Sequence, residues 1–350
     1  NYLSKVEKFP LRLILSAGLA VSKENSDKIY DRFRNRLIVP IYDMQGRVVA
    51  FGGRSLDGQE PKYLNSPESE VFEKGKMLFG FDKASSNIRK RDKALVVEGY
   101  FDVISLHSKG ITNSVASLGT ALNKYQISQL CRCTDSKNII INFDSDNAGK
   151  LATNRVIKEV EGLSLHDQIN LKILQIKSCK DPDEYLKKNN PKDYFNLIDN
   201  ASFWIDWEID QIFDNKDLSK SDIFQNVISS LVKLLSKFPQ SATRTHYLQK
   251  VSERLSMGQA RLAIKFEEDL RKQVKGFRWH GRSKKFEQPS EVSQREKNES
   301  EIIYYYLHCP EHRLFIREEL LKREINIFNT EYIRLTVSYT HLTLPTTPRV

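Results

Sequence analysis

Residues 94–102 read ALVVEGYFD, an apolar run that ends at the acidic Glu98, with Asp102 four residues further on. A run of four apolar residues bounded by charge is typical of a strand that is buried on both faces. Residues 138–146 (NIIINFDSD) repeat this arrangement, with a β-branched run followed by two aspartates. A helical pattern follows each run, which predicts βαβ units and therefore a parallel sheet.

Two further strands are predicted within this segment, at 114–117 and 170–176. The helices that alternate with the strands are expected over 102–109, 122–133 and 148–161, with another beginning at 183. Helices in such units cover both faces of the sheet. The carboxyl ends of all the parallel strands then meet at one rim, which is where ligands bind in sheets of this kind.

The regions on either side of this segment have different patterns. Residues 28–69 predict an antiparallel meander, with strands at 36–43 and 47–56. Residues 201–270 keep an apolar spacing of three to four, which predicts a helical bundle. The fold class that we expect is α/β with an α+β flank. An antiparallel-strand subdomain comes first, a parallel sheet with helices on both faces follows, and a helical bundle comes last.

We divide the chain where its composition changes. Residues 271–300 are first basic, then polar and poor in hydrophobic residues, and we predict a linker there. Residues 301–335 return to helical spacing, and the threonine-rich residues 336–350 break the composition so sharply that we expect a non-native tail. The expected segments are 1–90, 91–190, 191–270, 271–300, 301–335 and 336–350.

The composition restricts the function classes. The 350 residues include 55 Lys and Arg against 45 Asp and Glu, and the net charge of +10 fits a polyanionic partner such as nucleic acid. No apolar stretch reaches the roughly 18 residues that a transmembrane helix needs, so no membrane partner is expected. The four cysteines lack the spacing of a zinc site, which indicates reduced thiols in the cytoplasm. The first residue is Asn1 rather than Met, so we expect the chain to begin within a longer protein.

The carboxylates are the strongest functional signal, because they follow strands whose carboxyl ends share one rim. Three predicted strands are each followed by two acids, which are Glu98 and Asp102, Asp144 and Asp146, and Asp181 and Asp183. Neighbouring carboxylates raise one another's pKa values, and a divalent cation relieves that repulsion. Ligand sets made of oxygen alone favour Mg²⁺ or Mn²⁺ over zinc.

Each acidic pair also has a purely structural interpretation. Aspartate at a strand end frequently caps the following helix, and Asp181-Pro182-Asp183 has the pattern of a helix start. An EF-hand over 144–155 is excluded, because Ala148 holds the fifth position and Arg155 the twelfth, where a bidentate Glu is required. The convergence of three strands, rather than any single motif, favours a metal site.

Basic residues precede the acidic rim in the sequence, and each one alone is equally well explained as part of an exposed surface. They are Arg54, Lys62, Lys74 and Lys76. Gly119 and Thr120 lie in a predicted strand–helix loop, where backbone N–H groups can bind phosphate, and we place them at a nucleotide site. Acids that bind metal beside bases that bind a strand are what phosphate chemistry on nucleic acids requires.

Together these blocks resemble the bacterial DnaG-type DNA primases. Similarity to the Toprim metal-binding fold, which primases share with topoisomerases, comes from LVVEGYFDV (95–103), VASLGTAL (115–122) and NFDSDNAGK (142–150). Similarity to the primase polymerase core in particular comes from RFRNRLIVPI (32–41), FGGRSL (51–56), PKYLNSPES (61–69), FEKGKMLFGF (72–81) and KDPDEYL (180–186).

The resemblance implies roles for individual residues. It makes Glu98, Asp144 and Asp146 the main catalytic and metal-binding acids, with Asp102, Asp181 and Asp183 as supporting metal-binding acids. It assigns template or nucleotide binding to Arg54, Lys62 and Lys74. The implied cofactor is Mg²⁺ or Mn²⁺, since zinc belongs to an N-terminal domain of the family that we expect this chain to lack.

The resemblance also implies an activity and partners. A DNA-directed RNA polymerase of this kind makes short RNA primers by metal-dependent nucleotidyl transfer. Its partners are a single-stranded DNA template, ribonucleoside triphosphates, the RNA primer and a replicative helicase. The helicase-binding C-terminal domain is expected to begin at 301–335 and to be cut short. The implied location is the cytoplasm, at the replication fork.

Three other functions stay open on the residues alone. A topoisomerase fragment would relax DNA, and a Toprim nuclease would cleave DNA in the presence of Mg²⁺. A non-catalytic module would bind single-stranded DNA or a helicase through the basic residues 271–286 and the terminal helices, without needing the carboxylates.

Overall fold

The computed structural model describes residues 2–22, 28–166, 168–176, 179–239 and 241–284, together with 302, 306 and 309–322. The chain divides into two units, Asn1–Val274 and Lys275–Val350. The expected linker beyond residue 284, much of 301–335 and the expected tail at 336–350 lie outside the described residues.

Antiparallel strands form the first part of the chain, as the sequence predicts. The elements before the main meander are a helical turn at Tyr2–Val6, helix α1 (Leu11–Ser16), and the paired strands β1 (Ala20–Ser22) and β2 (Ile29–Asp31). The meander itself consists of β3 (Arg36–Tyr42), β4 (Val48–Ser55) and β5 (Tyr63–Asn65). The strands predicted at 36–43 and 47–56 are confirmed as β3 and β4.

The turn between β3 and β4 is held by one aspartate. The Asp43 carboxylate accepts hydrogen bonds from the backbone N–H groups of Gln45 and Arg47, both at 2.9 Å, and from the Arg47 guanidinium at 2.7 Å. Asp43 is only 8% exposed, so these bonds replace the water that the carboxylate gives up.

A five-stranded sheet lies in the first unit. Its parallel strands are β6 (Ala94–Val97), β7 (Ser114–Ala116), β8 (Asn138–Asn142) and β9 (Asn170–Ile173). The short β10 (Ser202–Phe203) is antiparallel to β9 at one edge, and the strand order is β10-β9-β8-β6-β7. The associated helices are α2 (Phe81–Arg91), α3 (Tyr100–Ser108), α4 (Lys124–Cys131), α5 (Asn147–Leu165), α6 (Pro182–Lys188) and α7 (Pro191–Asp199).

Helices cover both faces of this sheet, which confirms the predicted α/β class. Val96 and Ile141 enter a hydrophobic cluster with side chains of α2, α4 and α5. Their neighbours Val97 and Ile140 enter a second cluster with side chains of α3, α6 and α7. The alternation of side chains along a strand explains why short, wholly apolar runs suit this position.

A helical region follows the sheet, also as predicted. It consists of α8 (Trp204–Phe213), α9 (Ser221–Ser236), α10 (Ser241–Leu255) and α11 (Ala260–Lys284). Buried residues of all four helices join the hydrophobic cluster that contains α2, α4 and α5. In the second unit, a helical turn at Pro310–His312 precedes α12 (Arg313–Lys322).

Helix α11 corrects the prediction of a linker beginning at residue 271. The helix continues to Lys284, and Leu270 and Val274, one turn apart, are buried in the same hydrophobic cluster as the bundle. Lys and Arg have high helix propensities, so a basic segment without acids needs only an apolar anchor to remain helical. Within the described ranges, no helix combines the length and the apolarity that crossing a bilayer requires.

Candidate active site

Glu98 and Asp144 follow adjacent central strands of the parallel sheet. Strands β6 and β8 are hydrogen-bonded neighbours, with Val97 paired to Asn142, so the two acids leave the sheet side by side. The Glu98 carboxylate accepts a hydrogen bond from the backbone N–H of Asp144 at 2.9 Å. The strand order therefore brings together two acids that are 46 residues apart in the sequence.

Three of the predicted acids accept hydrogen bonds from backbone N–H groups at helix starts. These acids therefore have the helix-capping role that was the structural alternative to metal binding. Asp146 accepts a hydrogen bond from the N–H of Gly149 at 2.9 Å, and Asp181 accepts one from Glu184 at 2.8 Å. Asp102, in the first turn of α3, accepts one from Gly99 at 3.1 Å. Each of these bonds engages one carboxylate oxygen and leaves the second for another partner.

Gly149 allows helix α5 to begin close to the acidic loop. A Cβ atom at this position would lie 2.0 Å from the carbonyl oxygen of Asp144, well inside any permissible contact. The glycine is therefore required for the close approach of two backbones rather than for an unusual backbone angle.

The acids line an open cleft of about 370 Å³ in the first unit. The predicted site residues in its lining are Glu98, Asp102, Asp144, Asp181, Asp183, Arg54, Lys62 and Gly119. Asp146 stands beside the cleft and shares an ion pair to Lys180 with Asp144. Lys74 and Thr120 are not part of this lining. Lys74 begins a helical turn at Lys74–Lys76, and Thr120 is exposed.

Aromatic and basic side chains of the meander and of α3 complete the lining. The Arg54 guanidinium lies 4.7 Å from the ring centre of Phe101, and the Lys62 ammonium lies 5.5 Å from that of Tyr63. Asn65 on β5 donates a hydrogen bond to the carbonyl of Leu118 at 3.1 Å, which ties the meander to the loop that contains Gly119. The cleft thus presents cations and aromatic faces together with carboxylates.

The acids in the cleft repel one another. Burial, with the nearby charges of Asp181 and Asp144, raises the pKa of Asp102 to about 7. Burial also raises the pKa values of Glu98 and Asp144, and neighbouring aspartates add to both shifts. These carboxylates lack enough positive charge nearby to stabilise their ionised forms.

Two acids at the margin of the cleft behave differently. The hydrogen bond from the N–H of Gly149 holds the pKa of Asp146 below its ordinary value. Burial alone would raise the pKa of Asp183, but hydrogen bonds from Lys187 and Ser105 outweigh it and lower the pKa. Among these acids, the raised pKa values therefore belong to Glu98, Asp102 and Asp144.

Three segments of the chain match described protein families. Residues 1–85 match the DNA primase catalytic core, N-terminal domain, and residues 95–186 match the Toprim-like family. Residues 205–260 match the DnaB-helicase binding domain of primase.

Relatives that are named DNA primase align with nearly the whole sequence. The DNA primase of Synechococcus elongatus is 50% identical over 335 residues, covering 96% of this chain and 48% of the relative. The DNA primase of Synechocystis sp. is 40% identical over 340 residues, covering 96% of this chain and 53% of the relative. The chain thus spans about half the length of these curated relatives.

Solved structures give the same result at the level of the fold. A DNA primase domain from Pseudomonas aeruginosa matches with a TM-score of 0.62 and 34% identity, covering 78% of this chain and 83% of that one. The chain belongs to the DnaG-type DNA primase family. The DnaG primase catalytic domain bound to ssDNA matches with a TM-score of 0.61 and 32% identity, covering 73% of this chain and 80% of that one.

One family match lies earlier in the chain than the helicase-binding region expected from the sequence. The family described as the DnaB-helicase binding domain of primase matches residues 205–260, within α8 to α11, and not 301–335 as expected.

The primase family, through its Toprim domain, generally uses a divalent metal, so the residues of this chain can be tested for their fit. Among the described residues, no three His, Cys, Asp or Glu side chains stand close enough to bind one ion in their present positions. The acidic side chains that line the cleft nevertheless offer only oxygen ligands, and burial together with neighbouring aspartates raises the pKa values of Glu98, Asp102 and Asp144 among them. The donor set therefore fits a hard divalent cation, and binding would require side chains at the rim to rotate.

Several cleft residues were missed by the sequence analysis. Lys180, Tyr63, Asn65, Tyr100 and Phe101 all contribute to the lining. Lys180 precedes Asp181 in KDPDEYL, so its position beside a predicted acid was a usable signal. The aromatic residues lie next to Lys62 and within EGYFD, where their contribution to the core concealed their contribution to the cleft.

Proposed function

We propose that this chain is a primase RNA-polymerase core that synthesises short RNA primers on single-stranded DNA. In the proposed reaction, a ribonucleotide 3′-hydroxyl attacks the α-phosphate of an incoming ribonucleoside triphosphate and pyrophosphate leaves. The observation that carries the proposal is the single cleft in which rim carboxylates lie beside Arg54, Lys62 and aromatic faces. Membership of the DNA primase family supports it.

For the cofactor we propose Mg²⁺ or Mn²⁺, held by Glu98, Asp144 and Asp146 with Asp102, Asp181 and Asp183 in support. When bound, the metal supplies charge that activates the hydroxyl and stabilises the leaving group. The carboxylates of the chain supply the negative charge that would attract the metal. The short loops after β6 and β8 hold Glu98 and Asp144 close to the sheet. Glu98 also fixes the β8–α5 loop by accepting the N–H of Asp144.

The basic residues are proposed to bind the nucleic acid and the triphosphate. Arg54 and Lys62 carry the positive charge that phosphates need, and Tyr63 and Phe101 offer faces on which bases can stack. Backbone groups around Gly119 and Thr120 are proposed to approach the nucleotide. Lys74 lies outside the cleft lining, so we propose that it contacts template only beyond the cleft.

The partners follow from the same proposal. They are a single-stranded DNA template, ribonucleoside triphosphates and the RNA primer, with a replicative helicase bound through residues 205–260. This activity belongs to chromosome replication, so we propose the cytoplasm, at the replication fork, as its location.

The direct test is incorporation of labelled ribonucleotides on primed and unprimed single-stranded templates, with and without Mg²⁺. We expect Mg²⁺-dependent extension of the primed template at least. Cleavage of the template instead of synthesis would indicate a nuclease, and relaxation of supercoiled DNA would indicate a topoisomerase fragment. Binding of single-stranded DNA with no synthesis on either template would contradict the polymerase proposal.

A further inference from the structure

Lys180 is a charged residue of the cleft lining to which the proposed function gives no role. Its main chain is tied to the loop that carries Asp144 and Asp146. The backbone N–H of Ser145 donates to the carbonyl of Lys180 at 3.0 Å, and the Ser145 hydroxyl donates to the carbonyl of Cys179 at 3.2 Å. These bonds place Lys180 beside the acidic loop whatever its side chain does.

The N–H group of the peptide between Cys179 and Lys180 is also held by a hydrogen bond. The backbone N–H of Lys180 donates to the Glu184 carboxylate at 2.9 Å, and Glu184 lies in the first turn of α6. The segment between β9 and α6 is therefore held from the acidic loop and from the following helix. A lysine in this position is held in place before any ligand arrives.

The Lys180 ammonium lies between two of the proposed metal-binding acids. Its Nζ is 3.4 Å from a carboxylate oxygen of Asp146 and 3.7 Å from one of Asp144. Both distances are longer than those of neighbouring lysine pairs, such as the 2.5 Å between Lys188 and Glu184. The ammonium is thus shared between two acids rather than bonded tightly to either, and its side chain is 58% exposed.

We propose that Lys180 is an internal counter-cation that competes with the divalent metal for Asp144 and Asp146 and is displaced when the metal binds. The inference rests on the proposed function, because it takes those acids as metal ligands. A loose, exposed ion pair is worth little free energy, so a divalent ion can displace the ammonium. A divalent ion that binds the same carboxylate oxygens repels the nearby ammonium, so binding of the ion favours departure of the ammonium.

Displacement leaves the lysine useful. Its flexible four-carbon stem keeps the ammonium within the cleft lining, where the next available anion is a phosphate of the bound nucleotide or strand. Charge at the acids would therefore remain balanced before and after metal binding, and one residue would serve both states.

The test measures binding of Mn²⁺ alone by calorimetry at low ionic strength, using the full chain and three single variants. Lys180→Ala and Lys180→Gln remove the charge, and Lys188→Ala removes one equal charge from the same segment at a pair outside the cleft lining. We expect both Lys180 variants to bind Mn²⁺ roughly two- to fivefold more tightly than the unmodified chain, with Lys188→Ala unchanged. Added salt should reduce the difference.

The possible outcomes separate the two levels of the proposal. Equal or weaker Mn²⁺ binding by the Lys180 variants, with normal binding by the unmodified chain, overturns the counter-cation role and leaves the metal site standing. Tighter binding by Lys188→Ala as well shows a general effect of net charge and also overturns the role. No Mn²⁺ binding by any of the four proteins overturns the proposed metal site itself. Unchanged melting temperatures show that the variants are folded, as expected where backbone bonds hold the loop.

Discussion

The β3–β4 turn and the rim of the parallel sheet both withdraw an aspartate from water, and they treat it in opposite ways. Asp43 in the turn accepts two backbone N–H groups and the Arg47 guanidinium, and the backbone bond from Arg47 and its partners hold its pKa below the ordinary value. Asp102 at the rim accepts the N–H of Gly99 but faces other carboxylates, and burial raises its pKa to about 7.

The difference distinguishes a structural carboxylate from one that awaits a ligand. In the turn, the protein provides all the positive partners itself, so the charge stabilises the fold. At the rim, the chain concentrates like charges and provides Lys180 as a loosely held counter-ion. A cation that binds from solution would therefore stabilise the ionised carboxylates. Residue type alone does not reveal this, because Asp43, Asp144 and Asp146 all follow closely on a strand.

The largest effect is expected for Asp146→Ser, which separates the two roles of this residue. Serine is a good helix cap, so the start of α5 should survive, whereas the carboxylate charge is lost. We expect Mg²⁺-dependent primer synthesis to fall by more than the roughly hundredfold that loss of an outer-sphere partner can cost. Ribonucleotide incorporation and thermal melting, measured on the same preparation, check both parts.

The matched control is Asp43→Ser, which should do the reverse. It removes the acceptor of the β3–β4 turn, so the melting temperature should fall by several degrees while synthesis persists at a temperature below melting. Substantial synthesis by Asp146→Ser would remove Asp146 from the proposed mechanism and leave it a helix cap only.

A smaller effect is expected for Lys62→Ala, which tests the basic side of the cleft. Lys62 is exposed, so its loss should leave the fold intact and weaken binding of single-stranded DNA or triphosphate. If it contacts one phosphate, the slope of log affinity against log salt should become shallower by about 1. The control is Lys90→Ala, at an exposed position near the end of α2, which changes the net charge equally and should leave the slope unchanged. Equal slopes for the unmodified chain and both variants would place Lys62 outside the interface.

A stability measurement sharpens the comparison of the two aspartates. Because the pKa of Asp102 is raised in the folded chain, its ionisation costs folding free energy as the pH rises through about 7. In EDTA above that pH, Asp102→Asn should raise the melting temperature by about 2–4 °C, and the gain should vanish near pH 4, about the ordinary Asp pKa. For Asp43 the sign is reversed, since its lowered pKa contributes stability that is lost as the pH falls. A destabilised Asp102→Asn above pH 7 would show that the rim is not short of positive charge.

An effect on the melting temperature of the same size is expected from the metal alone. Saturating Mg²⁺ should raise the melting temperature of the unmodified chain by about 2–4 °C, because binding to the folded state adds to stability. Asp144→Asn should reduce this gain, while Asp43→Asn should keep it. An identical gain in both variants would place the stabilising ions elsewhere on the protein.

The shared rim could be predicted because alternating strands and helices indicate a parallel sheet, whereas the order of the strands came only from the structure. Runs such as 94–97 and 138–142 are typical of buried strands, and in a parallel sheet the acids that follow such strands share a rim. The roles assigned to those acids remain proposals. The position of Lys180 before Asp181 was a usable signal, but its ion pairs with Asp144 and Asp146 could not be predicted, because they depend on hydrogen bonds between two loops.

The helical part of the chain shows a different limit. The basic and polar composition of 271–300 predicted a linker, but Leu270 and Val274 pack in the core and helix α11 continues to Lys284. Strand β5 gave no separate signal, because three residues are too few for an alternating pattern. In both cases a few contacts from distant parts of the chain outweighed the local composition.

Gly149 carries a consequence for how this centre can be altered. Because a methyl group there would collide with the carbonyl of Asp144, even Gly149→Ala must force apart the helix start and the loop that carries two of the acids. Affinity for Mn²⁺ should therefore fall although no charge has changed, which calorimetry can measure. The centre thus depends on an empty volume as well as on its charged groups, and a sequence comparison restricted to acids would overlook inactivation of this purely steric kind.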